Sequence, residues 1–481
     1  MKHLLLVLLL GTAPNLPAQT CSLTTLWTGD QQYAIARTPV EVDESKVAVL
    51  LDGFGTNNRT KAIYVLDVST CVEEFIDLSA TVPNDIEEVE LVKLEDGFLV
   101  TGIQADAPSR LYLGLLDDGF EKVTDTTLVI LPPQHATQRV SWGTAKLIDT
   151  ASIGVIGRFN DGIFSNAFYL EVDLGDFNVR RRTVVNEQLT LRDFVLLGDT
   201  VLVDDGIAAM LPPGDTLWRL LPFLGEGDLN EVRWQTNFAR VGTNLYATGQ
   251  SFPQRMGFRR GNGIFRMNQA FRFTARDYSY ASANSDFVTY SAHRGLSVVE
   301  GRNYLVSTGT TGINFTSGNF PFVNERSEVY IHTYDLDLNP VSKRLIGGDA
   351  FYYNTYSIVH ADHLVATGLK YVAATDRMEA FIHVEPLDQL VSSSFVTETT
   401  PRPSIHLTAH PNPTSTSTTF QGFNPASRGI YQILNTAGQV IRQGEFAYTD
   451  RVEVRHLPPG LYVFQGRSNA GERYLGRIVV R

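Results

Sequence analysis

A short sequence motif that recurs at regular distances along most of the chain is the feature that most restricts its fold. Each copy is a short apolar run that ends in Thr-Gly or a similar turn. The turn residues of the seven copies are Gly53, Gly102, Gly157, Asp205, Gly249, Gly309 and Gly368. They are 49, 55, 48, 44, 60 and 59 residues apart, with a mean of about 52. Repeats of this length are typical of architectures in which each unit packs on its neighbours.

The residues between the turns predict strands. A second run, rich in aromatic and β-branched residues, follows most copies, and no sustained period of 3.6 residues indicates helices. The sequence therefore predicts an all-β fold whose main body is a seven-bladed β-propeller, with residues 22–27 as the outer strand of the last blade. Six and eight blades stay open, because the fourth copy matches least. A row of β-sandwiches is the other alternative, although the spacing is short for domains of about 100 residues.

The start of the chain predicts export. Residues 1–3 carry a positive charge, residues 4–10 are an unbroken apolar run, and Gly and Pro residues follow. This order is typical of a signal peptide, which we place at residues 1–18, so that the propeller occupies residues 19–390. No other run approaches the 18 apolar residues of a membrane span, so no transmembrane helix is predicted for the mature chain.

The two cysteines allow two interpretations. Cys21 lacks the small residues that precede a lipoprotein cysteine, and Cys71 is the only other cysteine of the chain. In an oxidising compartment Cys21 and Cys71 can form a disulfide. Two free buried thiols are the alternative.

Charge divides the chain. The 481 residues carry a net charge of −12, which argues against nucleic acid as a partner. Residues 391–404 are rich in Ser, Thr and Pro and are predicted to be a linker. Residues 405–481 contain eight arginines, no lysine and four acidic residues, and their net charge of +4 leaves −16 for the rest. This reversal indicates a separate C-terminal module.

Alternating apolar residues predict that the module is a small antiparallel β-sandwich. Tyr431 with Ile433, and Tyr462 with Phe464, give each of two strands one buried face. A generic immunoglobulin-like adhesive domain is the alternative.

The module also resembles the C-terminal sorting domain of type IX (Por) secretion substrates. The resemblance spans about 77 residues. It is carried by Pro411-Asn412-Pro413, by the hairpin at residues 431–440 around Gly438, by Leu457-Pro458-Pro459-Gly460-Leu461-Tyr462, and by the closing basic strand at residues 473–481.

The resemblance implies a route and partners. The protein would cross the inner membrane of a Gram-negative bacterium into the periplasm. The type IX outer-membrane translocon and its sortase machinery would then carry it across the outer membrane and remove the module. The product would be secreted or attached to the cell surface. The resemblance transfers no catalytic residue to the chain.

Motifs of known chemistry are missing from the sequence. It has no H-E-x-x-H, G-x-S-x-G, P-loop or C-x-x-C motif, so neither a cofactor nor a catalytic residue is assigned. Asp335-x-Asp337-x-Asn339 begins like a calcium loop, but Pro340 stands where glycine is needed, which favours a turn at a strand end. His332 and His383 occupy related repeat positions and are interpreted as strand residues, so no metal site is predicted.

One set of residues is a candidate ligand site. Trp142, Trp234 and Tyr353 lie 15 residues before their turn glycines, and His293 lies 16 before its own. In a propeller, the segment before the innermost strand lines the mouth of the central channel. Aromatic faces and guanidinium groups suit sugar rings, carboxylated glycans or acidic peptides. The candidate ligand-binding residues are Arg139, Trp142, Arg233, Trp234, His293 and Tyr353; further arginines at similar offsets are Arg37, Arg192 and Arg294. Packing of the tryptophans between blades is the alternative.

Three functions follow for the body of the chain. The first is a glycan- or protein-binding propeller. The second is a polysaccharide hydrolase or lyase, with Asp193, Glu87 and Glu88 as the acidic candidates near the channel. The third is a structural surface protein. Fold alone does not choose between them.

Overall fold

The described structure covers most of the chain in separate stretches. A computed structural model describes residues 20–25, 31–55, 59–104, 108–135, 138, 140–160, 165–185, 193–197, 200–203, 209–211, 219–220, 232–251, 261–268, 273–280, 287–299, 301–314, 326–372, 376–392, 404–421, 428–435, 440–447, 451–468 and 473–481. Within these residues the chain is mostly β-strand, with one short α-helix, so the all-β prediction is confirmed.

The strands follow one another in groups of four. A single strand, β1 (Cys21–Thr25), comes first. The next two groups are β2 (Gln31–Glu41), β3 (Lys46–Gly55), β4 (Arg59–Asp67) and β5 (Glu73–Asp77), then β6 (Ile86–Leu94), β7 (Gly97–Gln104), β8 (Arg110–Leu116) and β9 (Lys122–Val129). After a 3-10 turn at Pro133–His135 come β10 (Val140–Asp149), β11 (Ser152–Asn160), β12 (Ser165–Asp173) and β13 (Val179–Val185).

The second half of the body repeats this order. Its strands are β14 (Phe194–Leu197), β15 (Thr200–Val203), β16 (Ala209–Leu211) and β17 (Arg219–Leu220), then β18 (Val232–Val241), β19 (Asn244–Ser251), β20 (Gly261–Met267) and β21 (Phe273–Tyr280). They continue with β22 (Phe287–Val299), β23 (Tyr304–Asn314), β24 (Glu328–Asp335) and β25 (Pro340–Gly347), and end with β26 (Tyr352–His360), β27 (His363–Val372), β28 (Arg377–Pro386) and the helix α1 (Leu387–Ser392).

The strands form antiparallel sheets in chain order. Five sheets have four strands each, and their first strands are β6, β10, β14, β18 and β22. The remaining strands of the body form one eight-stranded sheet. In that sheet β2–β5 meet β26–β28 through a single parallel pair, Tyr33 with Met378, and β1 pairs antiparallel with β28 over five residues. The pairing of β1 with the last sheet agrees with the prediction made for residues 22–27, of which 26 and 27 lie outside the described residues.

The first strands of successive sheets contact one another around a ring. Such contacts join β2 with β6, β6 with β10, β14 with β18, β18 with β22, β22 with β26, and β26 with β2. Because the last of these returns to the first sheet, the sheets are arranged as a β-propeller around a central channel, with their first strands innermost.

Apolar residues on both faces of the sheets hold the ring together. On β3, Ala48 and Leu50 pack toward β6–β9, whereas Val47, Val49 and Leu51 pack toward β27 and β28. All five are fully buried. Because both faces of β3 are buried, the repeated motif is a continuous apolar run rather than an alternating one.

A β-bulge on the first strand explains the repeated glycine. Gly157 lies opposite Trp142, and the register of β10 shifts directly after that residue. Gly368 lies opposite Asn354, with the same shift on β26. A Cβ at Gly368 would lie 2.0 Å from the carbonyl oxygen of Tyr353, and one at Gly157 would lie 2.6 Å from that of Ser141. The bulged backbone thus lies where only glycine leaves room for it.

The C-terminal module has its own sheet and its own core. Its strands are β29 (Ser404–His410), β30 (Ser417–Gln421), β31 (Arg428–Leu434), β32 (Val440–Ala447), β33 (Val452–Glu453), β34 (Gly460–Ser468) and β35 (Arg473–Val480). They form one curled sheet of seven strands. Tyr431, Ile433, Tyr462 and Phe464 are all buried in its core, as the alternation predicts.

Two parts of the C-terminal motif meet in space. The Asn412 side chain accepts a hydrogen bond from the Val479 N–H at 2.8 Å and donates one to the Arg477 carbonyl at 3.0 Å. The peptide bonds before Pro411 and Pro413 are cis. Asn412 therefore acts as a partner for the backbone of the closing strand β35.

A candidate ligand site at the centre of the ring

The predicted site residues lie on innermost strands wherever the structure describes them. Trp142 is on β10, Arg233 and Trp234 are on β18, His293 is on β22 and Tyr353 is on β26. Arg139 lies outside the described residues, as do the side chains of Trp142, Arg233 and Trp234. The convergence of the tryptophans on a ligand therefore stays a prediction.

The two described aromatic candidates have different surroundings. His293 is half-buried, and its ring meets that of Tyr356 edge to face at 5.4 Å. Tyr353 packs beside an apolar cluster that includes Phe351 and Leu369. His293 is thus the closer of the two to the polar centre described below.

Bulges place charged residues at the centre. The register of β2 shifts between Ala36 and Pro39, which frees Arg37 and Thr38 from regular pairing. The register of β22 shifts between Ser291 and Leu296, and Arg294 within this bulge has a φ of 55°. Bulges commonly turn a side chain toward a binding or catalytic site.

Polar links between neighbouring groups of strands surround this centre. Most join a side chain of one group to the backbone of the next, and these satisfy a buried backbone group. The links are Thr38 Oγ1 to Glu90, the Ala145 N–H to Glu90, Lys146 Nζ to the Phe194 carbonyl, the Phe238 N–H to Asp193, Asn237 Nδ2 to the Ala292 carbonyl, the Asn354 N–H to Thr310 Oγ1, and Thr355 Oγ1 to the Ala36 carbonyl.

Three ion pairs lie among these polar links at the centre of the ring. Arg37 contacts Asp52 at 2.9 Å, Arg294 contacts Glu90 at 2.9 Å, and Lys146 contacts Asp193 at 2.5 Å. The three carboxylate side chains are at most 2% exposed, whereas the three cations are 16%, 18% and 28% exposed. In each pair the cation is therefore the more exposed partner.

Arg294 spans the ring. From β22 it reaches Glu90 on β6 and donates to the Thr144 hydroxyl on β10 at 2.6 Å, and it also bonds the Ala145 carbonyl. Asn237 braces the bulge that carries Arg294, because it accepts a hydrogen bond from the Gly295 N–H at 2.9 Å. Arg294 is thus held from both sides at the centre.

The pKa shifts of Lys146, Arg37 and Tyr356 reflect the charges around each of them. Burial lowers the pKa of Lys146; Asp193 opposes this shift, while Arg294 adds to it. Burial acts to lower the pKa of Arg37, but Asp52, Tyr356 and Glu88 together outweigh it and the net pKa is raised. Burial raises the pKa of Tyr356, and Arg37 and Arg294 both oppose that shift. Tyr356 therefore lies near both guanidinium groups.

The acidic candidates are committed to other groups. Asp193 is paired with Lys146 and accepts a hydrogen bond from the Phe238 N–H at 3.0 Å. Glu87 contacts Arg59 at 2.8 Å, away from the three pairs. Glu88 has a φ of 51° within the β6 bulge, and its charge acts on Arg37.

The remaining sequence candidates are structural. His332 and His383 are buried strand residues of β24 and β28. Asp335 ends β24, and its carboxylate accepts hydrogen bonds from the N–H groups of Asp337 and Asn339. This is the predicted turn at a strand end.

Sequence reasoning missed the centre of the site. Arg37 and Arg294 were noted only as companions of the aromatic residues, and Lys146 was not singled out. Their alignment depends on bulges of different length, which shift each residue differently from its turn glycine. The sequence does offer one signal for this centre: Arg294 directly follows His293, which is itself a candidate ligand-binding residue.

Two further observations concern parts of the protein outside this site. Among the described residues, no helix has both the length and the apolar character needed to cross a bilayer. Cys71 is disulfide-bonded, while the side chain of Cys21 lies outside the described residues.

When the chain is compared with known proteins, it is similar to solved structures but matches no family model and no curated protein. Polysaccharide lyase Uly1 is 10% identical, over 74% of this chain and 90% of its own, with a TM-score of 0.43. The α-L-arabinofuranosidase Arb93A from Fusarium graminearum is 9% identical, over 75% and 94%, with a TM-score of 0.39.

A third similar structure is a larger protein. The acylaminoacyl peptidase of Pyrococcus horikoshii is 10% identical, over 74% of this chain and 52% of its own, with a TM-score of 0.41. The chain thus spans about half the length of that peptidase. At these identities and TM-scores, none of the similarities indicates a function for this chain.

Proposed function

We propose that the chain is a secreted or surface-attached type IX substrate whose β-propeller binds a glycan or protein ligand at its channel face. The observation that carries the binding proposal is the convergence of Arg37, Lys146 and Arg294, from three different sheets, on the centre of the ring. Their side chains are partly exposed and are held by buried carboxylates, and the desolvation of such pairs costs free energy that their attraction need not offset. Concave sites with a few convergent polar groups are the usual places for ligands.

The proposal includes seven blades. The eight-stranded sheet would be two blades, one of β2–β5 and one of β26–β28 completed by β1. The single residue pair between β2 and β28 and the polar links between neighbouring groups of strands support this division. A disulfide between Cys21 and Cys71 would tie the closing strand to the first blade.

Export rests on the leader and on the C-terminal module. The module's separate core and its contact between Asn412 and β35 support a unit that acts independently of the ring. The expected domains remain residues 1–18, 19–390, 391–404 and 405–481. We note that α1 (Leu387–Ser392) crosses the boundary at residue 390.

Ligand binding is tested on an array. The full chain without its leader is applied to neutral and acidic glycans and to extracellular proteins, and hydrolysis is assayed on the same panel. We expect selective binding without cleavage. If no member of any class is bound, the binding proposal is wrong; if a bound glycan is cut, the polysaccharide-hydrolase alternative replaces it.

Export is tested with a reporter. Residues 1–18 and 405–481 are fused to the two ends of a fluorescent protein and expressed in a bacterium that has type IX secretion. We expect the reporter outside the cell, and its retention in the periplasm when residues 405–481 are removed or the translocon is deleted. A reporter that is exported equally well without these residues would contradict the proposal.

A further inference from the structure

The three ion pairs at the ring centre share one order of exposure, in which the carboxylate is buried and the cation is partly exposed. Two of the three carboxylates also accept a backbone hydrogen bond: Glu90 from the Ala145 N–H at 2.8 Å and Asp193 from the Phe238 N–H at 3.0 Å. Each cation keeps part of its surface in solvent. In each pair the cation, and not the carboxylate, is therefore the group available to a ligand at the centre of the ring.

Some pairs elsewhere on the protein have the opposite order, although Arg180 with Asp173 and Arg344 with Glu385 share the order seen at the centre. Arg302 contacts Asp362 and Asp388, and these carboxylates are 70% and 83% exposed, more than the arginine at 31%. Lys93 and Asp118 show the same order, at 31% and 77%. Burying the carboxylates while the cations stay partly exposed favours a local positive surface on a protein with a net charge of −12.

We infer that Arg37, Lys146 and Arg294 form a binding site for the carboxylate of a uronic-acid saccharide, an inference that rests on the proposed ligand binding at the channel face. Guanidinium groups match the planar geometry of a carboxylate, and a nearby ammonium adds charge without directional demand. Hydroxyl groups of Thr38 and Thr144 adjoin the same centre.

A saccharide is favoured over an acidic peptide because of the strands that carry the site. Lys146 and Trp142 are on β10, and Arg294 and His293 are on β22. His293 directly precedes Arg294, its half-buried ring meets that of Tyr356 edge to face, and aromatic rings suit the apolar face of a sugar ring. The negative charge of Glu88 interacts with Arg37, and it would repel an anionic ligand bound there.

The test uses matched probes. Trigalacturonate, its fully methyl-esterified form and a tri-glutamate peptide are titrated into the leaderless full chain by calorimetry. We expect trigalacturonate to bind at least tenfold more tightly than the ester or the peptide. Glu88→Gln should strengthen the binding of trigalacturonate, because it removes a repelling charge. Equal binding of trigalacturonate and ester, or tighter binding of the peptide, would overturn the inference.

Double variants test the residues without leaving a buried charge unpaired. Lys146→Gln with Asp193→Asn, and separately Arg294→Gln with Glu90→Gln, remove a cation and its partner together, so the net charge is unchanged. We expect each to weaken trigalacturonate binding at least tenfold while thermal unfolding remains cooperative. The matched surface control is Arg302→Gln with Asp388→Asn, which should bind as the unmodified chain does.

The two proposals fail in different ways. If a neutral glycan or a protein binds at the channel face while trigalacturonate does not, the inference is wrong and the proposed function stands. If nothing on the array binds, the proposed function itself is wrong. If a double variant does not fold, the comparison of trigalacturonate with its ester still decides the inference.

Discussion

At the scale of single residues, burial separates the histidines of this protein into two kinds. His332 and His383 are buried, and burial lowers the pKa of each to about 3, with Lys343 acting in the same direction on His332 and Arg344 on His383. His332 also packs against the rings of Tyr330 and Tyr334. His410, in the C-terminal module, is exposed.

The buried histidines predict a dependence of stability on pH. Both imidazoles stay neutral in the folded chain but titrate near pH 6.5 when it unfolds, so the unfolded state binds more protons between pH 3 and 6.5. Their contribution is complete above pH 6.5 and falls by about 1.4 kcal/mol per pH unit for each histidine as the pH drops toward 3. Thermal melts from pH 7.5 to 4.5 should show a shallower pH dependence in His332→Gln.

A matched control accompanies this measurement. His410→Gln removes an exposed histidine and should leave the pH dependence as it is in the unmodified chain. An equal slope in His332→Gln and the unmodified protein would show that His332 is protonated in the folded state or contributes nothing.

At the scale of elements, the bulge on the first strand and the glycine opposite it form one unit. We predict that Gly368→Ala destabilises the ring by about 1–3 kcal/mol, because its Cβ would lie 2.0 Å from backbone that cannot move without disturbing β26. Gly119→Ala is the control, since a Cβ there meets its nearest neighbour at an ordinary 3.4 Å. Denaturant unfolding measures both, and equal stabilities would contradict the role given to the bulge.

This unit also shows how far the sequence could predict the structure. The regular glycines place each second strand, and the offset of 15 residues places Trp142 and Trp234 on first strands without any structure. The offset does not reveal the bulge, because one extra residue reverses which side of the strand each later residue occupies. Arg37, Lys146 and Arg294 therefore belong to one site although their distances from the turn glycines differ.

At the scale of the whole molecule, the ring is closed by strands from both ends of the body. We predict that a chain beginning at residue 26 instead of residue 19 loses several degrees in melting temperature, because it lacks β1 and exposes the edge of β28. The change also removes Cys21, so the double variant Cys21→Ser with Cys71→Ser, which retains β1, is the control. A shortened chain as stable as this control would show that β1 does not close the ring.

The closing strand also sets the order in which the protein can assemble. The Thr20 hydroxyl hydrogen-bonds to Gln389, 369 positions later, so this contact joins the first part of the body to be synthesised to nearly the last. Contacts so distant along the chain are slow to form, because the entropy of closing the intervening loop is lost before they stabilise anything. Until Arg377 and the rest of β28 have been made, β1 has no partner strand. A nascent chain at that stage is an open arc with unpaired edges, and its residence in that state, rather than the stability of the finished ring, decides how readily it aggregates.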